Sequence, residues 1–328
     1  MFTKALVPLD NTETSEGIIP LVTQLAQGLD MGVVLATAIN PDHSPGALFD
    51  RIRGGMGGPP SPTAEAVSGP SQENAERDAR SRLDELASGI SQSGVSVESA
   101  VGFGPASETI IRMATDSDCD LIAMSTRGRG VLSSGLLGSV TYRTMHESPV
   151  PVLAVTPERA GRHRTAEGKF STVIVPLDGS ELAETALPYA VALCRGMDME
   201  MVLLHVIPAN ESIYSDGNAG GQDASDSREE MDAMARMYLN GIVRRLEDEG
   251  LDARMSVHEG RPSTVITAVA RGTEPSMIAM ASHGRSGVSR LLMGSVAEAV
   301  VRESGEPVLM VRSHTAVVPG PAEVPRPA

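Results

Sequence analysis

Two stretches of the chain place glycines and hydroxyls at one spacing, Ser125-Thr126-Arg127-Gly128 through Gly138-Ser139 and Ala281-Ser282-His283-Gly284 through Gly294-Ser295. In each, nine residues stand between a glycine, Gly128 or Gly284, and a Gly-Ser pair. Each stretch follows a short apolar run and precedes a run with helical spacing, so the pair falls where a helix begins. The chemistry such a loop can do is anion binding. Glycine lets the backbone approach a ligand closely and take positive φ, and helix-start N–H groups with a serine hydroxyl can hold phosphate oxygens. Neither stretch is Gly-x-x-x-x-Gly-Lys, and no Gly-x-Gly-x-x-Gly follows the first strand, so a P-loop or a dinucleotide turn is not supported. Arg127 and His283 occupy one place in the two loops, as do Arg129 and Arg285. Each either approaches phosphate or is a solvated loop residue, and Ser133, Ser134, Ser286 and Ser289 carry the same two readings. No lysine, arginine finger or carboxylate cluster accompanies either loop, so fast phosphoryl transfer lacks its usual parts.

A second candidate pair is Asp10 and Asp178, each ending a Val-Pro-Leu-Asp run. With Glu13 and Glu181 three residues on, each aspartate could form a capping box for the helix that follows. Each could also contact a ribose or adenine, and the two roles are compatible.

The elements that position these residues occur twice. Gly128 and Gly284 are 156 apart, as are Gly104 and Gly260, whereas Asp10 and Asp178 are 168 apart. The 12-residue difference (168 minus 156) lies between Asn40 and Gly104. A unit of this length is a duplicated domain and not a solenoid repeat, and 328 residues fit two domains of about 150 each. The reading is domain one at 1–156, a polar linker at 157–168, domain two at 169–312 and a proline-bearing disordered tail at 313–328. Strands are expected at Ala5–Leu9, Val33–Ile39, Ser96–Gly102, Asp120–Met124 and Val150–Val155. Their counterparts are Val173–Leu177, Met201–Ile207, Ala253–Glu259, Ser276–Met280 and Pro307–Val311. The Gly/Pro/Ser-rich stretches Pro41–Ser71 and Pro208–Ser227 are expected to be mobile loops. Strands alternating with helices predict an α/β fold, each domain an open parallel sheet covered on both faces. Ligands of such sheets bind at strand carboxyl ends, where both the Asp10 turn and the Gly128 loop fall.

A formal charge of −15, a pI near 4.9, 2% aromatic residues and no tryptophan argue against a nucleic-acid binder, which needs a basic face and stacking platforms. No signal-peptide pattern or 18-residue apolar run is present, so no membrane partner and a cytoplasmic location are expected. Cys119 and Cys194 stand singly at non-equivalent places, which speaks against a disulfide or metal framework.

The Val-Pro-Leu-Asp runs, Leu203-Leu204-His205-Val206-Ile207, Gly260-Arg261-Pro262, the loop Ala281 to Ser295 and the closing Glu306-Pro307-Val308-Leu309-Met310-Val311 resemble the universal stress protein family in its tandem two-domain, ATP-binding form. The resemblance covers nearly all of both repeats. Its phosphate motif is Gly, two residues, Gly, nine residues, Gly, then Ser or Thr. Gly128, Gly138 and Ser139 match it, as do Gly284, Gly294 and Ser295, while Ser125 and Ala281 stand in place of the first glycine. The resemblance implies a Rossmann-like, adenine nucleotide alpha hydrolase-like sandwich in each domain. It implies ATP as ligand, with ADP or AMP as alternatives, accompanied by Mg²⁺. Asp10 and Asp178 would then contact the adenosine, and the backbone at Ala38 and Val206 would line the adenine. Gly128, Gly138, Ser139 and Val140, with Gly284, Gly294, Ser295 and Val296, would hold phosphates. Pro8, Leu9, Met124 and Ser125, with Pro176, Leu177, Met280 and Ala281, would complete the two sites. It further implies association through the last strand, giving an intramolecular pseudo-dimer and leaving a homodimer open. Three functions follow: an ATP-binding regulatory or stress-response protein, a slow ATPase or autophosphorylating enzyme, and a nucleotide-free interaction scaffold.

Overall fold

A computed structural model of the chain describes residues 2–40, 70–126, 137–156, 169–209, 222–273, 275–282 and 293–312. The expected linker and tail lie outside these residues, as do Gly128, Gly284 and most of the two polar stretches.

In the first half the chain runs β1 (Lys4–Pro8), α1 (Glu13–Glu16), α2 (Ile19–Leu29), β2 (Gly32–Ile39), α3 (Pro70–Ser91), β3 (Val97–Phe103), α4 (Ala106–Asp116), β4 (Leu121–Ser125), α5 (Ser139–Glu147) and β5 (Val152–Val155). The second half repeats it as β6 (Thr172–Pro176), α6 (Glu181–Glu184), α7 (Leu187–Met197), β7 (Glu200–Pro208), α8 (Gln222–Asp248), β8 (Ala253–Gly260), α9 (Pro262–Gly272), β9 (Ser276–Ala281), α10 (Ser295–Glu303) and β10 (Val308–Val311). Every expected strand is present within two residues of its expected ends. Helix α8 starts at Gln222, inside the stretch Pro208–Ser227 read as loop. A polar helix start carries no apolar period to reveal it.

Among the described residues the strands form one sheet of order β3-β2-β1-β4-β5-β10-β9-β6-β7-β8. Pairing is parallel within each half, and the halves join where β5 and β10 run antiparallel, with Leu309 opposite Leu153. Strands such as β1, β4 and β9 are continuous apolar runs because helices cover both faces of the sheet. Leu25, Leu83, Leu193 and Leu239, from α2, α3, α7 and α8, pack in one layer. Ile110, Met145, Ile266 and Val300, from α4, α5, α9 and α10, pack in the other. Both layers contain residues of both halves. Further ties cross between them, the Phe2 and Tyr189 rings at 5.9 Å and the bond from Thr156 Oγ1 to the Gly305 carbonyl at 3.1 Å.

A core shared in this way should unfold as one unit. Leu309→Ala, removing a buried side chain at the seam, should cost about 2–5 kcal/mol and lower a single thermal midpoint measured by calorimetry. Two resolved transitions with only one displaced would contradict the shared core.

Candidate functional site

In each half the chain order reverses beside the first strand, between β1 and β4 and between β6 and β9, the place where α/β sheets bind ligands. The backbone just past the first strand is tied to its neighbour, Leu9 N–H to the Ala36 carbonyl and Leu177 N–H to the Leu204 carbonyl, both at 2.8 Å. Asp10 and Asp178 follow. Asp10 Oδ1 accepts from the N–H of Thr12 at 3.2 Å and from its hydroxyl at 2.5 Å. Asp178 Oδ1 accepts from the N–H of Ser180 at 3.0 Å and from its hydroxyl at 2.6 Å. The residue between takes positive φ, 61° at Asn11 and 83° at Gly179, conformations suited to asparagine and glycine. The capping-box reading of Asp10 and Asp178 is therefore corrected. The N-caps are Thr12, accepting from Ser15 N–H, and Ser180, accepting from Ala183 N–H. An aspartate two residues before the N-cap is too early to reach the first-turn amides, and it instead orients the residue that does. In the second half Tyr238 of α8 braces this short helix, donating to Glu184 Oε1 at 2.9 Å. Burial first, then that carboxylate, raises the phenol above its ordinary range.

Both glycine loops are anchored at their two ends. On leaving β4 and β9, Thr126 N–H bonds the Val155 carbonyl and Ser282 N–H the Val311 carbonyl, each at 2.8 Å. On returning, Gly138 N–H bonds the Thr126 carbonyl at 2.9 Å and Gly294 N–H the Ser282 carbonyl at 2.8 Å. Helices α5 and α10 begin at once, at Ser139 and Ser295. Their N-caps, Gly138 and Gly294, are extended and supply no side-chain bond to the first turn. A helix start without a side-chain cap leaves first-turn N–H groups for a ligand. Ser125 and Ala281 are buried last residues of β4 and β9, and neither is among the residues with positive φ, so the lost glycine leaves no backbone strain there.

In the second half these pieces enclose a cavity of about 300 Å³. Pro176, Leu177 and Asp178 form one side, Met280 and Ala281 another, and Gly294, Ser295 and Val296 the helix start, with Val206 opposite. All were anticipated from sequence. Ala183, Leu204, His205, Pro208, Pro262, Ile266, Ser282 and Ala297 also line it and were missed as site residues. Pro262 had a signal in Gly260-Arg261-Pro262. Gly260, at φ 147°, is a position for glycine, and its turn sends α9 over the cavity.

Pro8, Leu9, Asp10, Ala38, Met124, Ser125, Gly138, Ser139 and Val140 hold the matching places in the first half. Several lining positions differ between the halves, two of them as follows. Where the second half has His205 the first has Thr37, whose hydroxyl donates to the Leu9 carbonyl at 3.2 Å. Where the second has Ala297 the first has Thr141, donating to the Ser125 carbonyl at 3.0 Å. Cys119 and Cys194 are buried free thiols pushed up to about 12 by burial, so neither supplies a thiolate near neutral pH.

The universal stress protein family matches residues 56–156 and 169–312. A universal stress protein of Mycobacterium tuberculosis is 26% identical over 218 residues, spanning 66% of this chain and 70% of that protein. One of Methanocaldococcus jannaschii is 30% identical over 154 residues, 44% of this chain and 95% of its own length. The crystal structure of a universal stress protein from Archaeoglobus fulgidus DSM 4304 superimposes with a TM-score of 0.65 at 22% identity, covering 94% of this chain and 98% of that one. The shared fold thus extends over both halves.

Ser180 both caps α6 and orients Asp178. Ser180→Ala should lower stability by about 1 kcal/mol in chemical denaturation. Ser180→Thr, which installs the hydroxyl that Thr12 supplies in the first half, should restore most of it. Equal stability of the alanine variant and the parent would show the cap to be idle.

Proposed function

This chain belongs to the universal stress protein family, and from that premise we propose that it is an ATP-binding regulatory protein of the stress-response type. The observation that supports this reading is the second-half cavity, in which apolar walls, a carboxylate and a helix start without a side-chain cap converge. Its volume falls at the small end of ligand pockets, suited to a base and ribose whose phosphates extend along the glycine loop. Leu177, Leu204, Val206, Ile266 and Met280 supply the apolar surface an adenine ring needs. Asp178, its carboxylate oriented by Ser180, faces the ribose hydroxyls. The first-turn N–H groups of α10 and the Ser295 hydroxyl receive phosphate oxygens, aided by the positive end of the helix. Mg²⁺ accompanies the nucleotide through its phosphates, and ADP and AMP fit the same walls. The matching residues of the first half make a second, diverged site. Among the described residues no helix is long and apolar enough to cross a membrane.

Isothermal titration of the chain with Mg-ATP tests this, and saturable binding is expected. Gly294 has an ordinary extended backbone, φ −61° and ψ 142°, so Gly294→Val adds bulk in the cradle without forcing the chain. It should weaken binding about 10- to 100-fold, the loss of one or two charge-assisted hydrogen bonds. Absence of saturation at about millimolar ligand would remove the reading.

A further inference from the structure

Among the described residues, a bond joins the first repeat to the returning end of the second glycine loop. Met293, the residue before the cradle glycine, donates its backbone N–H to Nε2 of His146 at 2.8 Å, and His146 lies in the last turn of α5. The chain supplies its own control. The counterpart of Met293 is Leu137 and that of His146 is Arg302, each pair 156 apart (293 minus 137, 302 minus 146). Arginine has no acceptor, and Arg302 instead pairs with Glu303 at 2.7 Å. The tie can therefore run only one way, from the first repeat to the second site.

We propose that His146 is a positioning residue for the second nucleotide site, holding the returning end of its glycine loop while the imidazole is neutral and releasing it when protonated. Nε2 can accept only when it carries no proton, and in the imidazolium both ring nitrogens donate. A charged ring would turn a donor toward the Met293 N–H, and that amide, beside Gly294, would lose its acceptor. The surroundings oppose that charge. Burial and Arg312, at the end of β10, lower the His146 pKa from 6.5, against weaker opposing contributions from Glu147 on its own helix and Glu298 on α10. The Tyr142 ring packs at 5.2 Å. A histidine pKa lowered from 6.5 keeps the held state populated down to a pH below 6.5, and the released state appears only as pH falls through that lowered pKa. The link to ligand affinity rests on the nucleotide reading above, whereas the link between His146 and Met293 does not.

The test is amide NMR of the full chain from about pH 7.5 to about 4.5, a range that reaches well below ordinary histidine titration, with and without ATP. Ser295 and Val296 report the second site, Ser139 and Val140 the first. Without nucleotide, the Met293 amide should shift with the same midpoint as the His146 ring, and in His146→Gln, which keeps an acceptor that does not titrate, that shift should vanish. With ATP, second-site affinity should fall about tenfold in acid in the parent and not in His146→Gln, which also controls for protonation of the ligand. His146→Leu should bind weakly at both pH values, with the first site unchanged. A Met293 amide indifferent to His146 titration, or a His146→Leu chain binding ATP at the second site like the parent, overturns the proposal. Failure of ATP to bind at either site overturns the nucleotide reading and, with it, the claim on affinity, while the Met293 shift still decides the latch.

Discussion

The antiparallel pairing of β5 with β10 is the contact on which the rest of this molecule depends. A parallel half-sheet ending at its fifth strand presents an unpaired edge of N–H and C=O groups, a liability in any sheet protein. Two copies in one chain satisfy that edge against each other, and the pairing holds the two helical layers in register across the join. The same strands carry the sites. Thr126 and Ser282, from which the glycine loops depart, are bonded to Val155 and Val311, the last residues of β5 and β10. The loops are thus hung from the seam, and a disturbance of the seam reaches both.

Duplication has not kept the two sites alike. Thr37 and Thr141 spend their hydroxyls on carbonyls of the first site's own strand ends, which knits that site together. His205 and Ala297 stand in their places in the second half, where the walls enclose a cavity. The asymmetry extends to the loop ends, where a histidine in one half faces a backbone amide and its arginine counterpart pairs with a neighbouring carboxylate. A duplicated chain can hold such differences because each change is made once per chain, whereas in a homodimer every substitution appears at both sites.

The repeat, the ten strands and the helix starts at Ser139 and Ser295 were legible in sequence, because strand runs buried on both faces and glycine-marked turns are local signals that the backbone obeys wherever it is placed. Asp10 and Asp178 were legible as turn residues but not in their task, since which of several polar side chains reaches a first-turn amide depends on one residue of offset and on the φ of Asn11 or Gly179. The start of α8 was hidden because polar helices have no apolar period.

Sequence alone thus determined the duplicated α/β architecture, the spacing of the glycine loops and the family resemblance that pointed to Asp178, Val206 and Gly294. Tertiary structure decided what completes the site, namely Pro262 and Ile266 from α9, and Leu204 and His205 from a strand remote in sequence. It also decided that His146 of one repeat would meet Met293 of the other. Periodicity and capping report only on neighbours within a turn or a strand, whereas these contacts arise from the sheet order and the antiparallel seam, which bring together residues as far as 147 positions apart.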